Sequence, residues 1–107
     1  MAGEFFLRDA GTAVPFGSAP TKHDCFRSER LFVGLNALAR GQAQRVHAHE
    51  RADKFYLVVS GKARIVVGGE RMDLTAGGIA WAPAGVPHGI EEALEDSVVV
   101  VAMAPPP

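Results

Sequence analysis

The chain has 107 residues, enough for a single domain with one hydrophobic core. Hydrophobic residues make up 48% of it, which is typical of a globular protein and excludes intrinsic disorder. Eleven Lys and Arg residues against twelve Asp and Glu give a net charge of −1, and no basic run is present. Nucleic acid is therefore not an expected partner.

The cysteine content and the apolar stretches indicate the compartment. Cys25 is the single cysteine, so no intramolecular disulfide can form and nothing demands an oxidising environment. The first ten residues carry Glu4, Arg8 and Asp9, where a signal peptide would need an apolar run. The longest apolar stretch, 98–104, is too short to span a bilayer. We expect a soluble, cytoplasmic protein with no membrane partner.

Glycines and prolines divide the chain into short segments with the composition of strands. In chain order, the predicted strands are 31–39, 44–49, 55–60, 63–67, 70–74, 79–83 and 98–103. Gly68 and Gly69 separate two of them and predict a two-residue β-hairpin. Short strands at roughly ten-residue spacing, separated by glycine turns, are typical of an all-β sandwich or barrel.

Two of these segments, 55–59 and 98–101, are apolar on both faces, whereas a strand with one wet face would alternate. We expect one face to line a barrel interior, and the N-terminal segment or the second subunit of a homodimer to cover the other. A long central strand inside a single sandwich is the alternative. Phe55 and Trp81 are expected to lie in the core or an interface rather than in a substrate platform.

Two histidines provide the first chemical motif. His47 and His49 are two residues apart, which on a strand puts both imidazoles on one face. Together with Gly41 and Gly61, they match the first motif of the cupin family. That motif runs glycine, five residues, His-x-His, three or four residues, glutamate, six residues, glycine.

The second cupin motif follows at the usual spacing. It runs glycine, five residues, Pro-x-Gly, two residues, histidine, three residues, asparagine. Gly77, Pro83, Gly85 and His88 match it, while Glu92 stands where asparagine is usual. With both motifs in order, the chain resembles small single-domain bacterial cupins.

The resemblance covers roughly residues 41–92 and implies an all-β fold, the double-stranded β-helix or jelly-roll barrel of cupins. Residues 1–107 would then form one cupin domain. Within it we expect an N-terminal extension over 1–28, the barrel over about 29–104 and a proline-rich tail over 105–107. The tail cannot join a sheet, because proline has no N–H to donate.

The family implies three histidines and a glutamate around one divalent metal, and His47, His49 and His88 carry over by residue type. The glutamate does not, because Lys54 stands at its position. Asp53 is adjacent, but successive strand residues point to opposite faces. Asp53 should therefore face outward if Lys54 faces inward, unless a bulge turns it.

Three neutral imidazoles can bind zinc, iron, manganese, nickel or copper and leave a position open for another ligand. Lys54 is no ligand as an ammonium; at ~5 Å from a divalent ion and an effective dielectric constant of ~20 its repulsion costs roughly 6–7 kcal/mol. A bound carboxylate, enolate or phosphate would relieve that repulsion. Without a metal, the same side chains would form a cationic pocket for an anion.

Two alternatives concern the residues on this strand. Lys54 could instead pack its aliphatic stem on the barrel rim and keep its ammonium in water. Tyr56 is two residues after Lys54 and therefore faces the same side of the strand. Its hydroxyl either lines the pocket or is the hydrogen-bonded end of a tyrosine packed in the core.

We therefore expect a small cupin-barrel protein that binds a small anionic molecule near Lys54 and Tyr56, with a divalent metal on the three histidines. The alternative is a metal-dependent enzyme, of isomerase or dioxygenase type, acting on a small carboxylate or sugar-like substrate. Cupins serve as enzymes, storage proteins and sensors, so the fold does not choose between them. The missing fourth ligand, with no evident general base beyond the histidines, favours binding.

Overall fold

A computed structural model describes residues 5–107; the first four residues of the expected N-terminal extension lie outside the described residues. The described residues form nine strands and no helix. The strands are β1 (Thr21–Arg27), β2 (Phe32–Leu38), β3 (Gln44–His47), β4 (Asp53–Ser60), β5 (Lys62–Val67), β6 (Glu70–Thr75), β7 (Ile79–Ala82), β8 (His88–Ala93) and β9 (Ser97–Ala104). From Phe5 onward, therefore, no helix is available to cross a membrane.

The strands form two antiparallel sheets, which confirms the all-β jelly-roll barrel. One sheet has the order β1-β2-β9-β4-β7, and the other has the order β3-β8-β5-β6. Each predicted segment overlaps a strand, but β1 and β8 were not predicted. β1 lies inside the segment 1–28 that the sequence suggested as an extension, and it forms one edge of the five-stranded sheet.

Strand β4 alternates strictly between the barrel interior and the outside over its first half. Lys54, Tyr56 and Val58 are buried, whereas Asp53 and Phe55 are exposed. The bulge considered for Asp53 is absent there: the pairing of β4 with β9 is regular from Asp53 to Val58. The predicted inward orientation of Lys54 and outward orientation of Asp53 are thus confirmed.

Both sheets contribute to the hydrophobic interior of the barrel. The buried members of this core are Leu38, Tyr56, Val58, Ala63, Ile65, Ile90, Ala93, Val99 and Val101. Because the apolar side chains gather at one end of the interior, the other end is free to hold polar groups.

The N-terminal segment covers part of the outer face of the five-stranded sheet. This is one of the two coverings expected from the sequence, the other being a second subunit. Val14 packs on Leu35, Ala37 and Val98 in a second buried cluster. Further along that face, Phe55 and Trp81 remain 40% and 65% exposed, so neither belongs to the core. Their place in an interface, and the homodimer itself, stay predictions that the sedimentation coefficient of the purified chain can test.

Glycines with positive φ close the turns between strands. Gly68 and Gly69 have φ values of 58° and 90°, which confirms the predicted two-residue hairpin between β5 and β6. Gly61 has a φ of 83° and also lies against backbone: a Cβ there would stand 2.1 Å from the carbonyl oxygen of Asp96. Any side chain at Gly61 would therefore force the turn between β4 and β5 away from the turn before β9.

We expect Gly61→Ala to destabilise the fold by about 2–4 kcal/mol, because positive φ and a backbone clash act together. Gly77→Ala is the matched control, since Gly77 has a φ of 92° but open space around its Cβ position. Its cost should be about 1 kcal/mol, from the positive φ alone. Chemical denaturation of both variants measures the difference; equal midpoints would contradict the clash.

Candidate functional site

Two paired strands, β3 and β8, and the loop after β3 position three histidines. His47 is the last residue of β3 and pairs with His88, the first residue of β8. His49 lies two residues beyond β3, and its carbonyl oxygen accepts a hydrogen bond of 2.9 Å from the backbone N–H of Gly85. The loops of the two sequence motifs are thereby held against each other.

The structure brings the three imidazole rings to a common point at the polar end of the barrel. One ring nitrogen from each of His47, His49 and His88 lies within 4.8 Å of the other two. The Nε2 atoms of His47 and His49 are 3.0 Å apart. Two nitrogens bound to one tetrahedral zinc ion would be roughly 3.3 Å apart, so this spacing suits a shared ion.

Backbone carbonyls orient two of the rings. The Nδ1 atom of His47 lies 3.0 Å from the carbonyl oxygen of Arg45, and Nδ1 of His88 lies 2.9 Å from that of Val86. A carbonyl only accepts, so Nδ1 carries the proton in both rings and Nε2 presents its lone pair to the site. Nε2 of His88 is buried and has no hydrogen-bond partner in the described part of the chain.

Burial and nearby charge favour the neutral forms of His49 and His88. Burial lowers the pKa of His88 and outweighs the Val86 hydrogen bond, which raises it; the charge of Lys54 lowers it further. Burial also lowers the pKa of His49, helped by His47 and Lys54. A neutral imidazole is the form that binds metal, so the cluster could hold a divalent transition metal.

Lys54 enters the same interior from β4. It is 8% exposed, and its Nζ lies 4.8 Å from the centre of the Tyr56 ring. Burial, with a contribution from the charge of Lys22, lowers the pKa of the Lys54 ammonium to about 8. Asp53 offers no compensation, since its Oδ1 accepts a hydrogen bond from the Ala84 N–H on the outside. No ion pair between 5 and 107 includes Lys54.

Tyr56 is a core residue, but its hydroxyl lacks the hydrogen bond that was expected of a core tyrosine. Its ring is fully buried in the core, 6.0 Å from the ring of His88. Its hydroxyl has no hydrogen-bond partner in the part of the chain that the structure describes. Burial raises the pKa of this hydroxyl, so it stays protonated and can donate.

A cavity of about 600 Å³ opens from His47, His49 and Lys54 toward strands β1 and β2. Asn36 and Gln44 line it: Nδ2 of Asn36 donates to Oε1 of Gln44 at 3.3 Å, and Nε2 of Gln44 is buried without a partner in the residues described. Sequence reasoning missed both amides, although Asn36 is the single polar residue in the segment 31–39.

Other lining residues were missed because strand β1 was not predicted. Lys22, His23, Asp24 and Arg27 come from that strand, and Arg45 adds a further cation from β3. His23 and the neighbouring Cys25 looked like surface residues from the sequence. The structure places His23 at the rim of the cavity and outside the three-histidine cluster.

Comparison with known proteins supports the same architecture. A Streptomyces coelicolor protein, "Uncharacterized protein SCO3923", is 40% identical over 82 residues, which is 75% of each chain. The crystal structure of TT1209 from Thermus thermophilus matches with a TM-score of 0.87 and 38% identity, over 94% of this chain and 98% of that one. An RmlC-like cupin from Desulfovibrio desulfuricans matches with a TM-score of 0.81 and 27% identity, over 90% and 92%.

The sequence motifs and the two-sheet barrel agree with the family match. The model of the family described as "Cupin domain" matches residues 35–104, which contain all three histidines and Lys54. The chain is therefore a small member of the cupin domain family.

Proposed function

We propose that this protein binds one divalent transition metal through His47, His49 and His88, and a small anionic ligand beside Lys54. The ligand would lie in the cavity, with its anionic group between the ammonium and the metal. Zinc, iron, manganese and nickel all suit the three imidazoles, whose nitrogens do not select one of them.

One observation carries the metal half of the proposal. Nε2 of His47 and Nε2 of His49 are 3.0 Å apart, and Nε2 of His88 is buried beside them with no partner among the described residues. Lone pairs that converge in this way repel unless a proton or a cation lies between them. A divalent cation can accept the lone pairs of all three nitrogens at once, whereas one proton can be shared by only two of them.

The ligand half depends on the charge of Lys54. A buried ammonium without a carboxylate partner is costly, and a divalent ion nearby adds repulsion. An anion between them is attracted by both charges, as in other sites that hold an oxyanion. The unpaired Tyr56 hydroxyl and the amide of Gln44 add hydrogen-bond donors to the same interior.

The size and the chemistry of the site favour binding over catalysis. A cavity of about 600 Å³ falls in the range that holds small molecules. Between Phe5 and Pro107, no carboxylate joins the histidine cluster to act as a general base. Burial raises the pKa of the Tyr56 hydroxyl, so this group stays protonated and does not act as a base either. The metal-dependent isomerase or dioxygenase considered above stays a prediction.

We expect the purified protein to bind one Zn²⁺ per chain, and His47→Ala, His49→Ala and His88→Ala each to weaken binding by about 100-fold or more. His23→Ala is the matched control, because His23 is the fourth histidine and lies outside the cluster. Competition titration against a chromophoric chelator gives the affinities. A loss in His23→Ala equal to that in the other three would contradict the site.

Lys54→Glu should restore a carboxylate at the position where the family has one. We expect Zn²⁺ affinity to rise by about 10- to 100-fold, because attraction replaces repulsion. The same change should abolish binding of butyrate, a small monocarboxylate, measured by calorimetry. Unchanged affinities for both would show that Lys54 does not act on the site.

Lys54→Met should make the metal-free protein more stable at pH 7 by about 1–2 kcal/mol, because the buried ammonium costs free energy on folding. The pKa of Lys54 is about 8 in the folded chain, below its ordinary 10.5. The gain should therefore be complete below pH 8 and fade as the pH rises to about 10.4, where both states become neutral. Urea denaturation across this range checks it; a loss of stability at pH 7 would contradict the cost.

A further inference from the structure

The inner face of the five-stranded sheet continues past the histidine site to the edge strand β1. Antiparallel pairing aligns Lys54 with Met103, then Phe32, then Arg27, in one row across four strands. Further along β1, Lys22 faces the same side beside Asn36. β1 therefore places two cations on the wall that Lys54 shares, at the opposite side of the cavity.

Charge around the cavity differs from that of the chain as a whole. Among the described residues, the lining has four cationic side chains, Lys22, Arg27, Arg45 and Lys54, and one acidic side chain, Asp24. The whole chain has a net charge of −1. Positive charge is thus gathered at this opening, which raises the local concentration of anions.

The cations form two groups at different depths. Lys54 is 8% exposed beside the histidines, whereas Lys22, Arg27 and Arg45 are exposed; we call these three the rim group. Lys54 and Arg27 lie three strand spacings apart, roughly 14 Å between backbones on a flat sheet. A ligand that contacts the wall at β4 and the wall at β1 must therefore be extended along the cavity.

Arg27 is held in position by an aromatic ring and by Pro107, the last residue of the given chain. Its guanidinium carbon lies 5.3 Å from the centre of the Phe32 ring, and one Nη donates a 2.5 Å hydrogen bond to a main-chain oxygen of Pro107. The Phe32 ring in turn lies on Gly34, where a Cβ would stand 2.8 Å from it. These contacts orient the guanidinium on the wall of the cavity.

We propose that the natural ligand carries two anionic groups, one beside Lys54 and the three histidines, and a second on the rim group. This deepens the proposed function and rests on it. The chemical class is a small linear dianion, such as a dicarboxylate, whose ends are separated by a short carbon chain. Lys22 and Arg45 form no ion pair in the described range, so their charges favour an anion there.

Matched pairs of probes test this directly in protein incubated with one equivalent of Zn²⁺. Calorimetry compares succinate with butyrate, glutarate with valerate, and adipate with hexanoate, so that each pair differs by one carboxylate at equal chain length. In the wild type, the best dicarboxylate should bind about tenfold or more tightly than its monocarboxylate partner. Equal affinities within all three pairs would overturn the second subsite.

The double variant K22Q/R27Q should lower the affinity for the best dicarboxylate by about tenfold and change the monocarboxylate by less than about twofold. The matched control is the double variant R40Q/R71Q, which removes two positive charges at residues that do not line the cavity. An equal loss in the control would attribute the effect to net charge and overturn the proposal. Folding of each variant is verified by its urea midpoint.

Failure of this inference is distinguishable from failure of the proposed function. If butyrate does not bind the wild type, or binds Lys54→Met equally well, the site beside Lys54 is wrong. If butyrate binding needs Lys54 but a second carboxylate adds no affinity, the inner site stands and the rim group does not hold an anion.

Discussion

An unpaired ammonium buried beside three imidazoles is the constraint on which the polar end of this barrel depends. Lys54 has no carboxylate partner in the described range 5–107, and its charge adds to burial in lowering the pKa of both His49 and His88. The arrangement is electrostatically unfavourable by itself, and a bound anion beside the ammonium makes it favourable. Sites that store such a cost are typically sites of function, since a purely structural core would replace the lysine by an apolar residue.

Much of the barrel was predictable because its strands follow simple rules. The two-residue period of β4 assigns Lys54 and Tyr56 to the interior and Asp53 to the outside, and the structure agrees. Glycine pairs such as Gly68-Gly69 identify a hairpin by backbone conformation alone. Strand spacing puts His47 and His49 on one face, whereas His88 joined them in the prediction through the resemblance to the cupin motifs.

The parts that sequence reasoning missed depend on partners that are distant along the chain. β1 (Thr21–Arg27) is polar because it is an edge strand whose inner face borders a cavity open to water. Such a strand lacks the apolar period that identifies a strand from sequence. β8 begins with His88 and includes two exposed glutamates, so its hydrophobic signal is short. Its assignment as a strand becomes evident only from its pairing with β3 and β5.

The same edge strand explains why total charge was a poor guide to the ligand. A chain with a net charge of −1 gives no sign of a cationic cavity, because its acids lie mostly on other surfaces. Pairing with β2 places Lys22 and Arg27 on the wall that Lys54 shares. Since long-range attraction depends on where charges lie rather than on their sum, an anion approaching the opening would meet the rim cations before the buried one. The exposed cations thus supply attraction at the opening, and the buried ammonium supplies it inside.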